Sequence, residues 1–161
     1  MPSIETTDWL ALKTRVDTLV TSPAMLRFDP GQVITPPVQT EQNWDGEEPW
    51  SNEEGWDTPG LPMPFLLLSD VTNDPQRMGI SGVDHVRSGT LMITVQWPIA
   101  RPISHVQLKE IGGQIAAHFP ADTCMSFGPS RLRMTQDAAA MSAYVDGAYR
   151  VLPVRALWSS M

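Results

Sequence analysis

Apolar positions first recur at helical spacing close to the N-terminus. Over residues 7–20 one helical face collects Trp9, Leu12, Val16, Leu19 and Val20. Thr7 is a suitable N-cap, and Asp8 places negative charge in the first turn. Pro23 follows closely, and proline cannot continue a helix. The pattern therefore predicts a helix over Thr7–Val20.

A second helical pattern covers Ser104–Phe119. Ser104 and Gln107 have the spacing of a capping box, and Ile103 with Leu108 can form a hydrophobic staple. The predicted buried stripe of this helix consists of Leu108, Ile111, Ile115 and Phe119. Two glycines in the middle, Gly112 and Gly113, each cost roughly 1 kcal/mol relative to alanine. Such a pair is favoured where another backbone approaches closely.

Alternating or continuous short apolar runs predict the strands. The strongest alternation, over 84–97, places Leu91, Ile93, Val95 and Trp97 on one face. The remaining predicted strands are Met25–Phe28, Phe65–Leu68, Cys124–Phe127, Arg131–Thr135, Tyr144–Val145 and Tyr149–Trp158. Pro153 interrupts the last run, which predicts a strand at the edge of the sheet.

The segments between these elements carry turn residues. Val33–Val38 is extended but rich in proline, and Asn73–Gly82 and Asp137–Met141 are predicted loops or turns. Strands joined by turns, with a single helix between them, favour an α+β fold: a mostly antiparallel sheet with two helices packed on one face. The 161 residues suit one domain, 1–161. The predicted core contains Leu12, Val16, Leu91, Ile93, Val95, Leu108, Ile111, Ile115 and Phe119.

The negative charge of the chain is concentrated in one segment, Gln39–Gly60. The formal net charge is −7, and this segment alone holds seven acidic residues and no Lys or Arg. It also holds three of the six tryptophans, namely Trp44, Trp50 and Trp56. We interpret it as an inserted surface loop for which two roles stay open. It is an interaction arm, with tryptophan anchors and selective carboxylates, or it folds back on its own domain.

Composition and motifs exclude several classes of protein. No unbroken apolar run exceeds four residues, far below the roughly 20 needed to span a bilayer, so no membrane association is expected. One cysteine, Cys124, excludes an internal disulfide framework, and its apolar strand predicts a small buried side chain. His85, His105 and His118 lack metal-ligand spacing and are expected to be solvated or locally bonded. No catalytic, nucleotide-binding or metal motif is present, which predicts a non-enzymatic protein without cofactor or metal.

The order of certain residues resembles a known family. Arg87, Gly89, Leu91 and Val95 match a long strand, and Ala116 or Ala117 with Phe119 and Pro120 match a helix end. Short strands with Arg131-Leu132-Arg133 and a terminal strand, Asp146–Arg155, follow. Together they resemble the tail terminator, or tail completion, proteins of long-tailed bacteriophages. The acidic segment Gln39–Gly60 is longer than the loop expected there.

The resemblance implies a structural role in the virion. The protein would form a hexameric ring on the head-proximal end of the tail tube, stop tube growth and join tail to head, after assembly in the host cytoplasm. Its partners would be other copies of itself, the tail tube protein and a head-completion or neck protein, with DNA only passing through the lumen. A head–tail adaptor, a tail tube protein and an unrelated α+β binding module are the alternatives.

Candidate interface residues follow from these patterns. Arg131 and Arg133 project to one side of a strand, where they can meet acids of a neighbouring subunit, DNA phosphates or solvent. The glycine pair and the strand containing Pro153 are the predicted site of assembly. The complete candidate set is Trp44, Trp50, Trp56, Arg87, Gly112, Gly113, Arg131 and Arg133.

Overall fold

A computed structural model describes residues 2–20, 41–44, 64–78, 84–100 and 103–161. In chain order its elements are α1 (Ile4–Val20), β1 (Glu41–Trp44), β2 (Phe65–Thr72), β3 (Gln76–Met78), β4 (Asp84–Val86), β5 (Ser88–Pro98), α2 (His105–Ala117), β6 (Cys124–Phe127), β7 (Ser130–Met134), β8 (Ala139–Ala140), β9 (Tyr144–Asp146) and β10 (Tyr149–Ser160). The predicted strand Met25–Phe28 and the extended segment Val33–Val38 lie outside the described residues.

Eight of these strands form one sheet with the order β1-β2-β5-β10-β7-β6. β8 and β9 also pair with β10, alongside its N-terminal half. Every pairing is antiparallel except that of β1 with β2, which is parallel. β3 and β4 form a separate two-stranded sheet that continues the β2–β5 hairpin. The predicted α+β fold with a mostly antiparallel sheet is confirmed.

Both helices cover the same face of the sheet, which we call the inner face. α1 lies against β6 and β7, and α2 lies against β10 and β8. Cross-strand register places Leu66, Val95 and Leu152 together on this face, as alternation of side chains requires. The predicted core is confirmed, because its nine members are all at most 2% exposed: Leu12, Val16, Leu91, Ile93, Val95, Leu108, Ile111, Ile115 and Phe119.

Trp158 fixes the end of the sheet at which β10 finishes. It pairs across the sheet with Gly89, and a Cβ at position 89 would lie 2.8 Å from the indole ring and 2.7 Å from the Val71 carbonyl oxygen. Only glycine leaves room for this ring. We call this end of the sheet the Trp158 end, and the opposite end, where β10 begins, the Tyr149 end.

Local capping explains where the helices begin. At α2 the predicted capping box is present: Ser104 Oγ accepts from the Gln107 N–H, and Gln107 Oε1 accepts from the Ser104 N–H. α1 begins one turn earlier than predicted, because Ser3 Oγ accepts from the Thr6 N–H and serves the first turn. Thr7 is therefore inside the helix, and its predicted role as N-cap is wrong.

Several strand predictions are corrected by tertiary pairing. The run 84–97 is two strands separated at Arg87, and the predicted loops 73–82 and 137–141 contain β3 and β8. β10 is a central strand between β5 and β7, so the edge predicted from Pro153 is wrong. The carbonyl of Pro153 accepts from the Met141 N–H, on the side where pairing changes from β9 to β8. A missing N–H is tolerated there because no ladder bond is required of it.

The acidic segment is not a loop throughout. Its first part, Glu41–Trp44, is strand β1, and its residues 45–60 lie outside the described part of the chain. Since β1 is parallel to β2, the chain must return to the start of β2, and parallel neighbours need a crossover of about a dozen residues or more. Part of the length of this segment is therefore a requirement of the topology.

Candidate functional site

The candidate interface residues are not gathered at one place. Arg87 lies at the Trp158 end, Gly112 and Gly113 lie on α2, and Arg131 and Arg133 lie on β7. Trp44 belongs to β1, and only its backbone is described, whereas Trp50 and Trp56 lie outside the described residues. No described contact tests any of them as an interface, so this role stays a prediction.

Arg87 belongs to a buried polar cluster under the N-terminal half of α1. Its Nε and Nη2 donate to Asp8 Oδ2 and Oδ1, at 2.6 and 3.1 Å. Asp8 also accepts from Ser130 Oγ at 2.5 Å, and Ser130 Oγ lies 2.7 Å from Thr7 Oγ1. The bonds to Asp8 raise the pKa of Arg87 further, so the guanidinium stays charged. This pair ties α1 to the β4–β5 junction and to β7.

A second carboxylate, Asp70, lies close to that cluster. Trp158 Nε1 donates to Asp70 Oδ1 at 3.2 Å. Burial raises the pKa of Asp70 above its ordinary value of 3.8; the Trp158 bond acts in the opposite direction, and the negative charge of Asp8 raises it again. The Trp158 end therefore holds two acids and one arginine, and Asp70 is the acid without the guanidinium partner.

The two glycines of α2 occupy opposite environments. Gly112 is buried, and a Cβ there would collide with Leu152 Cδ2 and lie 3.3 Å from the Cβ of Ala140. Close approach at Gly112 is therefore made by the sheet of its own chain. Gly113 faces open space, with no atom within 4 Å of a Cβ built on it. Only Gly113 remains available to a partner on the surface of the described chain.

Arg131 and Arg133 are exposed on the face of the sheet opposite the helices, which we call the outer face. They alternate with the buried Ser130, Leu132 and Met134 along β7. Register places Arg155 of β10, opposite Met92, on the same face, and it too is exposed. Sequence reasoning missed Arg155, although the alternation of β10 around it was visible. We call Arg131, Arg133 and Arg155 the basic row.

Cys124 and the histidines supply no reactive group. Cys124 is exposed, so its predicted burial is wrong: β6 alternates, and the buried partner is Met125. His85 and His105 are exposed. His118 is locally bonded, as predicted, since its Nε2 lies 3.1 Å from the Arg15 carbonyl oxygen and 2.8 Å from Thr18 Oγ1. Within the described ranges, no three His, Cys, Asp or Glu side chains are grouped to hold a metal ion.

Exposed apolar side chains mark both ends of the sheet, and sequence reasoning missed them. At the Tyr149 end, Tyr144 and Val145 of β9 are exposed, together with Ile99, whose N–H donates to the Ala148 carbonyl. Val106, in the first turn of α2, is 71% exposed. At the Trp158 end, Val71 and Phe127 are exposed. Exposed apolar groups of this kind often mark protein contacts, although single ones are common on any surface.

Comparison with known proteins assigns the family. The sequence from residue 9 to residue 158 matches the family model of the phage tail terminator protein. One solved structure, identified only by a reference number, shares the fold with a TM-score of 0.55 and 14% sequence identity, over 94% of this chain and 94% of its own. No curated protein matches the sequence. No helix among the described residues is both long and apolar enough to cross a bilayer. Because the family match spans nearly the whole chain, the protein belongs to the phage tail terminator family.

Proposed function

We propose that this protein closes the head-proximal end of a phage tail tube as a ring, most simply a hexamer, stops tube growth and presents the surface to which the head is joined. The family match over residues 9–158 carries this proposal. The protein is then a structural component of the virion, and its chemistry is that of protein contacts.

The shape of the sheet suits such a ring. A ring of identical copies needs two different patches on one molecule that meet head to tail and close. In the described chain, β1 and β6 lie at opposite edges of the sheet. If these edges face the neighbours in the ring, the Trp158 and Tyr149 ends face along the tail axis. The exposed apolar side chains at those two ends then face the tube protein and the head-completion protein.

Loss of the gene tests this function, because the three ring-forming alternatives fail differently. A phage without a terminator should assemble tails of uncontrolled length that carry no heads. Loss of a head–tail adaptor should leave tails of normal length beside unjoined heads, and loss of a tube protein should leave no tails. Electron microscopy of lysates, with the intact gene supplied from a plasmid as control, distinguishes them. Tails of normal length in the deletion lysate would contradict the proposal.

A further inference from the structure

The basic row lies on the outer face near one edge of the sheet. β7, which carries Arg131 and Arg133, is next to the terminal strand β6. Cys124 of β6 is the register partner of Arg133, and both are exposed. Arg155 continues the row inward on β10. Positive charge is therefore displayed on this outer corner by a chain whose formal net charge is −7.

These arginines make only weak attachments within the described chain. Arg131 Nη1 donates to the carbonyl oxygens of Gly128 and Ser130, at 2.8 and 2.9 Å. Arg133 Nη1 lies 3.9 Å from Asp122 Oδ1, and these side chains are 51% and 83% exposed. A pair of that length and exposure contributes little. In the described ranges neither Arg131 nor Arg155 forms an ion pair.

The complementary charge leaves the sheet at the opposite edge. Residues 45–60, which follow β1, contain six acids, no Lys or Arg, and Trp50 and Trp56. Carboxylates bind guanidinium groups in paired hydrogen bonds, and indole rings stack on them. Within one chain, β1 and β7 are separated by four strand spacings, or about 19 Å. Between two copies that meet edge to edge, the acidic segment of one begins beside the basic row of the other.

We propose that the basic row binds the acidic, tryptophan-bearing segment 45–60 of the neighbouring copy, and that this contact closes the ring. The inference depends on the ring proposed above and names its interface. Arg131 and Arg133 pair with carboxylates of the neighbour, and Arg155 extends the contact inward. The same match of charge fixes which edge meets which, because two acidic edges or two basic edges repel each other.

The lone cysteine provides a direct test. A Glu47→Cys variant that keeps Cys124 is treated with a short bismaleimide in assembled tails and in rings of the purified protein. We expect a ladder of cross-linked chains on denaturing gels, ending at the number of copies in the ring. The same variant with Cys124→Ser is the control and should give no ladder through Cys124.

The other outcomes separate the two proposals. A cross-linked monomer without higher species would mean that the segment covers its own sheet, and it would overturn the contact between copies. Rings in the electron microscope without any cross-link between positions 47 and 124 would overturn the interface and leave the ring intact. The absence of rings in tails and in purified protein would overturn both.

Charge reversal tests the same contact without chemistry. The double variant Arg131→Glu/Arg133→Glu should lower the yield of joined particles by about tenfold, as expected when like charges replace opposite ones at an interface. A second variant, Glu47→Lys/Glu48→Lys, should fail equally by itself. Co-expression of the two variants should restore joining, because an alternating ring matches every interface. Lys109→Glu, an exposed reversal on α2, is the control and should join normally. Equal failure of this control, or no rescue by co-expression, would overturn the proposal.

Discussion

Asp8 has three hydrogen-bond donors and almost no contact with solvent, so its replacement should be costly. Its side chain is 4% exposed, and Arg87 is 22% exposed. Asp8→Asn leaves the guanidinium without a counter-charge, and we expect a loss of roughly 3 kcal/mol, near the low end for a broken buried pair. Urea unfolding measures it. Asp17→Asn, which removes the exposed pair with Lys13, should cost less than about 0.5 kcal/mol. Equal losses would mean that Asp8 is not structurally special.

Asp70 should have the opposite effect, because its charged form is disfavoured in the folded chain. Its folded pKa is raised, so the cost of holding the carboxylate is fully present above that pKa. This cost disappears as the pH falls toward 3.8, the ordinary value. Asp70→Asn keeps an acceptor for Trp158 Nε1, and it should be more stable than the wild type at pH 7. The difference between the two unfolding free energies should shrink on acidification; a constant difference would contradict the assignment.

The distance along the chain explains why these residues were misjudged from sequence. Asp8 was taken as a first-turn acid, a local role, while its partners Arg87 and Ser130 lie 79 and 122 positions away. Nothing in the spacing of single residues indicates such a pair. Local signals were reliable: the capping box at Ser104 and the buried stripe of α2 were predicted and confirmed.

At the scale of one element, the two glycines of α2 provide a matched comparison. Gly113→Ala adds a methyl group in open space and should stabilise the helix by about 1 kcal/mol. Gly112→Ala gains the same propensity but collides with Leu152, and overpacking a core costs about 1–3 kcal/mol. Thermal unfolding should therefore rank Gly113→Ala above the wild type and Gly112→Ala below Gly113→Ala. If Gly113 also contacts another copy, Gly113→Leu should weaken rings of a folded protein; unchanged rings would place the contact elsewhere.

The junction of the two helices should respond to mild acid. Burial lowers the pKa of His118 below its ordinary value of 6.5, and the nearby Arg15 lowers it further. The stability gained from burying the neutral imidazole is fully present above 6.5 and is lost as the pH falls from there toward the lowered pKa. Between pH 7.5 and 5 the wild type should lose more unfolding free energy than His118→Gln. Parallel pH profiles for the two proteins would show that His118 does not titrate in this way.

The strand predictions show what a local pattern cannot establish. Pro153 indicated an edge because proline removes a ladder donor, and yet β10 is central. The sheet accepts the proline because its neighbour on that side changes from β9 to β8 at this point. The sequence predicts that a run is extended, but the number of its neighbours depends on strands elsewhere in the chain.

For the whole molecule, the connection from β1 to β2 separates what the fold requires from what assembly requires. The parallel pair needs a long crossover whatever its composition. Deleting 45–58 leaves too short a return, so β1 should detach and the melting temperature should fall. Replacing the acids and tryptophans of 45–58 with Ser, Asn and Gln at constant length should leave melting unchanged. If the segment binds a neighbouring copy, this second variant should nevertheless fail to terminate tails or join heads. Normal joining by the constant-length variant would show that the crossover serves the fold alone. Loss of stability in that variant would show instead that its tryptophans cover their own sheet.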